Sequence, residues 1–118
     1  MRHNRHKNLL GVARSHRKSM MRNLAISLIE HGKINSTQAK CKAVQPYVEK
    51  LVTIAKTDSV ANRRLAFSKL NSKKAVKNLF ENVAPKFKAR NGGYTRIVKS
   101  AEPRVGDGSA MGIIAFVE

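Results

Sequence analysis

The chain has 118 residues, with 24 Lys/Arg against 7 Asp/Glu, a net charge of +17 and a pI near 10.9. At 42% hydrophobic residues it is too apolar for a disordered tail, and its length suits one domain around one core. No apolar run approaches the ~20 residues of a membrane span, and a single cysteine, Cys41, excludes an internal disulfide or a cysteine-based metal site.

The charge is spread along the chain. Residues 1–57 hold twelve basic and two acidic groups, and residues 58–118 hold twelve and five. Such an excess repels itself in the compact state and is tied to an anionic partner, nucleic acid first and an anionic membrane surface second. The opening stretch is the most one-sided. Seven Lys/Arg (Arg2, Arg5, Lys7, Arg14, Arg17, Lys18 and Arg22) precede the first acid, Glu30. The N-terminus also lacks the apolar segment of a secretory signal, and with the lone cysteine this fits a reducing cytoplasm.

Residues 1–14 have no helical or strand period and read as an extended basic arm, with 15–118 as a single α+β domain. Ser15 is placed to cap a helix whose Met20, Met21, Leu24, Ala25, Leu28 and Ile29 share an apolar side. Arg17, Lys18, Arg22 and Asn23 lie opposite, and Gly32 suits the left-handed position that ends it. Lys33–Thr37 reads as a short strand. Thr37 then caps a second helix with Ala43, Val44, Tyr47, Val48, Leu51, Val52 and Ala55 on one face, and Pro46 predicts a kink near residue 42.

A third helix, capped by Asp58, carries Ala61, Arg63, Arg64, Leu65 and Phe67. A fourth opens at Ser72 with Val76, Leu79, Phe80, Val83 and Phe87 at helical spacing, and Pro85 should bend or end it. Gly92-Gly93 punctuates the chain before a strand at Tyr94–Ser100. Residues 101–109 are turn chemistry, and Met111–Val117 is a last strand, apolar enough to expect cover on both faces. About four helices packed on a small three-stranded mixed sheet result.

Enzyme constellations are missing. There is no phosphate-binding glycine loop, serine elbow or paired carboxylate segment. His3, His6, His16 and His31 sit in surroundings too basic for a metal, and no cofactor is implied. Cys41, flanked by Lys40 and Lys42, reads as a plain small helix residue, with a lowered thiol pKa as the alternative. Three basic groupings remain. The first is the arm and helix face, namely Arg2, His3, Arg5, Lys7, Arg14, His16, Arg17, Lys18 and Arg22. The second is Arg63-Arg64, about 100° apart on a helix, so that at least one meets solvent or phosphate; no good ion-pair partner for them is evident. The third runs from Lys86 to Lys99, with Arg90, Tyr94 and Arg96. Tyr94 is placed either to stack on an unpaired base or to lie in the core.

DNA-reading modules are absent as well, with no zinc-finger spacing, leucine zipper or minor-groove wedge. Few aromatics put the weight on phosphate and 2′-OH contacts and on shape, as in a protein built into folded RNA.

In several short pieces the chain resembles the bacterial-type large-subunit ribosomal protein seventeen family. The pieces are Met1-Arg2-His3, Ser15-His16-Arg17, Leu51 to Phe67, Gly92-Gly93-Tyr94-Thr95-Arg96-Ile97, and Arg104-Val105-Gly106-Asp107 with Met111. The resemblance implies a structural, non-enzymatic protein of the large ribosomal subunit that is bound to large-subunit rRNA near the outer end of the peptide exit tunnel. Its partners would be that rRNA and neighbouring ribosomal proteins, with no DNA or membrane, and one copy would serve each ribosome. By position, Arg2, His3, His16 and Arg17 match the arm motif, Arg63 and Arg64 the helix motif, and Arg96 the glycine-turn motif. Leu9 and Val12 stand where the family usually has cations, and Ala43 and Ala115 where it has acids. The remaining functional classes are a DNA-architectural protein, a nuclease and a basic membrane-surface protein.

Overall fold

A computed structural model describes residues 13–117 of the chain. The expected arm, with Leu9 and Val12, falls almost wholly outside the described residues. Helix α1 (Arg14–His31) begins one residue before the expected cap, after an extended Ala13 and with no side-chain cap, so Ser15 lies inside the first turn. Its end follows the sequence reading. Gly32 takes φ 80° and its N–H bonds the Leu28 carbonyl at 2.8 Å, a conformation that glycine adopts without a Cβ penalty.

Strand β1 (Lys33–Thr37) leads directly into α2 (Gln38–Ala55), whose cap Thr37 accepts a bond from the Lys40 N–H at 3.3 Å. The helix runs unbroken through Pro46, which sits on its exposed side. Helix α3 (Val60–Leu70) is capped by Ser59 and not by Asp58; the Ser59 hydroxyl accepts from the Asn62 N–H at 3.1 Å. The Asp58 carboxylate is taken by Arg63. Asn71, at φ 54°, closes α3 in the left-handed conformation that asparagine tolerates.

Helix α4 (Lys73–Asn78) starts from Ser72 and does not end cleanly at Pro85. It widens into a π-helical turn at Leu79–Val83 and tightens into a 3-10 turn at Ala84–Phe87. Pro85 has no N–H to give the Glu81 carbonyl, and its ring would crowd that oxygen in a regular α-helix. The widened turn moves the backbone out of the way.

The sheet has the order β1-β3-β2, with β2 at Thr95–Lys99 and β3 at Met111–Phe116. Both pairings are antiparallel, where the sequence suggested a mixed sheet. Residues 100–110 join β2 to β3 without a crossover, which only an antiparallel pair permits. In register, Lys33, Ala115 and Arg96 lie side by side on one face, and Ile34, Ile114 and Ile97 on the other. The apolar run of β3 reflects its central place. Gly112 and Ile114 are buried toward the helices, while Met111, Ile113 and Ala115 are only half-buried. Cover is full on one face, not on both.

Helix α2 is the spine of the core. Cys41, Val44, Val48, Leu51 and Val52 are fully buried between the sheet and the other helices. They meet Ala25 and Leu28 of α1, Ala66 and Leu70 of α3, and Leu79 and Phe80 of the α4 segment. In α3 the buried positions are Ala66 and Leu70. Leu65 and Phe67, grouped with this helix's apolar set in the sequence, are exposed. Gly112 of β3 is tightly enclosed; a Cβ there would sit 3.3 Å from the Val98 carbonyl of β2 and 3.4 Å from the side-chain Cγ of Gln38 on α2.

Candidate nucleic-acid interface

The first half of α1 stands proud of the core, because burial begins only at Ala25. At 100° per residue, Arg14, Arg17, Lys18 and Arg22 share an arc of about 140°. They do not share a role. The Arg22 Nε donates to the Lys69 carbonyl at 3.2 Å, and the Tyr47 hydroxyl donates to the same oxygen at 2.7 Å. With the Asn71 amide turned to donate to the Phe67 carbonyl, its oxygen accepts from Arg22 Nη1 at 3.1 Å. Arg22 thus secures the C-terminal end of α3, where carbonyls lack helical partners and the dipole favours a cation. Burial raises the Tyr47 phenol pKa, and the Arg22 charge opposes that shift. Arg14 and Lys18 are exposed and Arg17 is half-buried, and none of the three has an ion pair among the described residues. His16 lies on the opposite side of the helix, beside Met20, Asn23 and Lys40.

Arg63 and Arg64 divide in the same way. Arg63 forms a two-pronged pair with Asp58, at 2.7 and 2.9 Å, and lies 5.0 Å from the Phe80 ring centroid. The ion-pair partner judged missing from the sequence is therefore Asp58, five residues back. The guanidinium holds the Asp58 carboxyl below its ordinary range, and Asp58 in turn raises Arg63. Arg64 is exposed and has no ion pair among the described residues.

Around the glycine turn, the structure decides between the two readings of Tyr94. Its residue is only 3% exposed, and its ring packs against Phe87 with centroids 5.3 Å apart. The hydroxyl lies 3.4 Å from that of Thr53 and 3.3 Å from Lys56 Nζ, which hold its phenol pKa below the ordinary range. Tyr94 is a core residue, and its ring offers no face to a base. Arg90 and Lys56 shape the turn that leads into it. The Arg90 Nε donates to the Gly93 carbonyl at 3.1 Å, and Lys56 Nζ donates to the Arg90 carbonyl at 2.6 Å. Gly92 and Gly93, at φ 85° and 61°, supply the positive angles that this turn needs.

Arg96 is exposed on the uncovered sheet face. Lys33, which sequence reasoning passed over, shares its row with only Ala115 between them. Two strand spacings separate them, roughly 10 Å, and only strand register reveals the pairing. Lys73 and Lys77 were also missed. They stand one helical turn apart on the exposed side of α4, and the Lys-Lys-x-x-Lys spacing of residues 73–77 was their signal. Arg2, His3, Arg5 and Lys7 lie outside the described residues.

Cys41 is buried, with its Sγ 3.7 Å from the Gly112 carbonyl, and burial pushes its thiol pKa up. Among the described residues no three His, Cys, Asp or Glu side chains are grouped to hold a metal, and no helix is long and apolar enough to cross a membrane. Two ion pairs form there, Arg63–Asp58 and Arg104–Asp107, so most of the cations face outward without an acid.

Comparison with known proteins matches residues 20–117 to a family model described as ribosomal protein L17. The large ribosomal subunit protein bL17 of Persephonella marina is 55% identical over 103 residues, which cover 86% of this chain and 83% of that protein. The protein of the same name from Chloroflexus aurantiacus is 50% identical over 117 residues, covering 99% of this chain and all of its own length. That from Hydrogenobaculum is 48% identical over 118 residues and covers both chains fully.

Proposed function

This chain belongs to the ribosomal protein L17 family, and on that premise we propose that it binds large-subunit rRNA by charge neutralisation and shape. It is a structural constituent of the large ribosomal subunit in the cytoplasm and not an enzyme. The observation that carries the RNA reading is the surface of cations left without an acid after the two ion pairs among the described residues. The outer half of α1 presents Arg14, Arg17 and Lys18; α3 and α4 present Arg64, Lys73 and Lys77; the open sheet face presents Lys33 and Arg96. Phosphates met on several faces suit a protein set into folded RNA, not one laid along a duplex groove.

Residues 1–14 act as a basic arm, with Arg2, His3, Arg5 and Lys7 on rRNA, and residues 15–118 form one α+β domain. One copy sits in each particle near the outer end of the peptide exit tunnel, a placement supported by the family resemblance. Within these sites Arg22 and Arg63 act as positioning residues for α3, and Tyr94 as a core residue behind Arg90.

The test is a binding series against large-subunit rRNA, together with sedimentation of the protein with the subunit after a high-salt wash. For 6–10 phosphate contacts, affinity should fall by roughly 10³–10⁵ between 50 and 200 mM salt. Arg2, Arg5, Arg14 and Arg17 changed together to Ala should reduce incorporation without unfolding the body. A flat salt response, or equal competition by duplex DNA, would overturn the reading.

A further inference from the structure

Helix α3 has a second face that the core does not use. Val60, Arg63, Arg64 and Phe67 follow the i, i+3, i+4, i+7 spacing of a single stripe, adjacent to the stripe of Asn62, Ala66 and Leu70 that packs inward. Across from it, Lys73, Val76 and Lys77 form the matching stripe on α4. The two stripes enclose an open groove of about 460 Å³. Its walls are apolar, with Val60 67% and Phe67 40% exposed. Its rim is basic. Arg64, Lys73 and Lys77 have no ion pair among the described residues, and Glu81 is the acid at the edge. Arg63, paired with Asp58 and with its guanidinium carbon 5.0 Å from the Phe80 ring centroid, borders the groove with its charge already matched.

We propose that this groove takes an unpaired nucleotide of the large-subunit rRNA, its base stacked on Phe67 and its flanking phosphates on Arg64, Lys73 and Lys77. The inference rests on the rRNA-binding reading above. An apolar peptide would fill the walls and leave three cations uncompensated. A duplex phosphate ridge would meet the cations and leave two large apolar side chains in water. A nucleotide splayed out of its stack answers both halves of the site, because its base is apolar on its faces and its backbone is anionic. The proposal also explains why Phe67 is out in solvent on a helix whose inward side is served by Ala66 and Leu70.

The experiment compares the full-length protein with Phe67→Leu, Phe67→Tyr and Lys73→Glu/Lys77→Glu variants, each titrated with large-subunit rRNA. A hexameric oligoadenylate and the same oligomer without bases serve as smaller probes, read by NMR of the Phe67 ring and the Val60 and Val76 methyl groups. Stacking predicts that Phe67→Leu weakens oligoadenylate binding by about five- to a hundredfold, while Phe67→Tyr keeps it. The base-free oligomer should leave the ring signals in place. If Phe67→Leu and the native protein bind both oligomers alike, there is no base in the groove and the proposal falls. It also falls if Phe67→Leu keeps its rRNA affinity but loses a neighbouring ribosomal protein from the particle, since the groove is then a protein dock. In both cases the native protein still binds rRNA with a steep salt dependence; failure of that control removes the parent reading instead.

Discussion

Tyr94→Ala should lower the melting temperature by roughly 15–30 °C, whereas Tyr94→Phe should lower it by only a few degrees. The difference follows from what each change removes. Alanine deletes a ring that is 3% exposed and packed on Phe87, which itself lies 5.9 Å from the Phe116 ring centroid. Loss of a buried aromatic costs about 3–5 kcal/mol once the cavity is included. A domain of this size has only about 5–15 kcal/mol in total, so the variant stands near the edge of folding. Phenylalanine removes the hydroxyl alone. Thr53 keeps its bond to the Glu49 carbonyl at 3.0 Å, and Lys56 keeps the Arg90 carbonyl at 2.6 Å. Neither partner is stranded, so the cost stays at the low end of a hydrogen bond, about 0.5–1 kcal/mol. Thermal unfolding followed by circular dichroism measures both. Affinity for rRNA completes the test with Tyr94→Leu, which keeps apolar volume and removes the aromatic face. If Tyr94→Leu cut rRNA affinity tenfold or more while barely moving the melting temperature, the core assignment would be wrong and Tyr94 would be a base contact after all.

Three further outcomes are expected. Gly112→Ala must push its new methyl against the Val98 carbonyl and Gln38 Cγ, at 3.3 and 3.4 Å, and should cost about 1–3 kcal/mol in a urea titration; a stabilised variant would show that β2 and α2 yield freely there. Arg22→Ala should cost about 1 kcal/mol and speed amide exchange at the end of α3, with an effect that couples to Tyr47→Phe because both donate to the Lys69 carbonyl; strict additivity in the double-mutant cycle would refute the shared acceptor. Finally, Asp58 has its pKa lowered in the fold, so its contribution is present above the unfolded value, about 3.9, and lost as pH falls through the folded one. Native protein should therefore lose more stability than Asp58→Asn between pH 5 and 2, and parallel acid curves would exclude the Asp58–Arg63 pair as a stabilising element.

What the sequence revealed divides by the range of the physics involved. Caps and periodicity are local, so Gly32, Thr37 and Ser72 could be placed from a few neighbouring residues, as could the apolar face of α2. Asp58 failed as a cap because two local options competed. Ser59 supplies a hydroxyl at the right place, and Asp58 gains more from a two-pronged bond to Arg63 than from one backbone N–H. The exposed stripe of α3 was hidden for a similar reason. Counting apolar residues favours Leu65 and Phe67, whereas the close approach of α3 to the other helices selects the small Ala66. Sheet register cannot be read without the partner strand, and so the pairing of Lys33 with Arg96 was invisible. Whether an arginine is committed to a carbonyl, as Arg22 is to Lys69 across 47 positions of sequence, is likewise a tertiary fact.

Among the described residues, the three-strand sheet ends in two edges without a further strand, β1 and β2, and one of its faces carries no helix. In most proteins such borders invite a second copy to add its own strand. Here both borders carry positive charge, one cation on β1 (Lys33) and two on β2 (Arg96 and Lys99). Between synthesis and assembly, two copies drifting together would confront like charge along the very margins where pairing could begin. On the rRNA-binding reading proposed above, the same charge that would meet phosphate in the particle also opposes self-association before assembly.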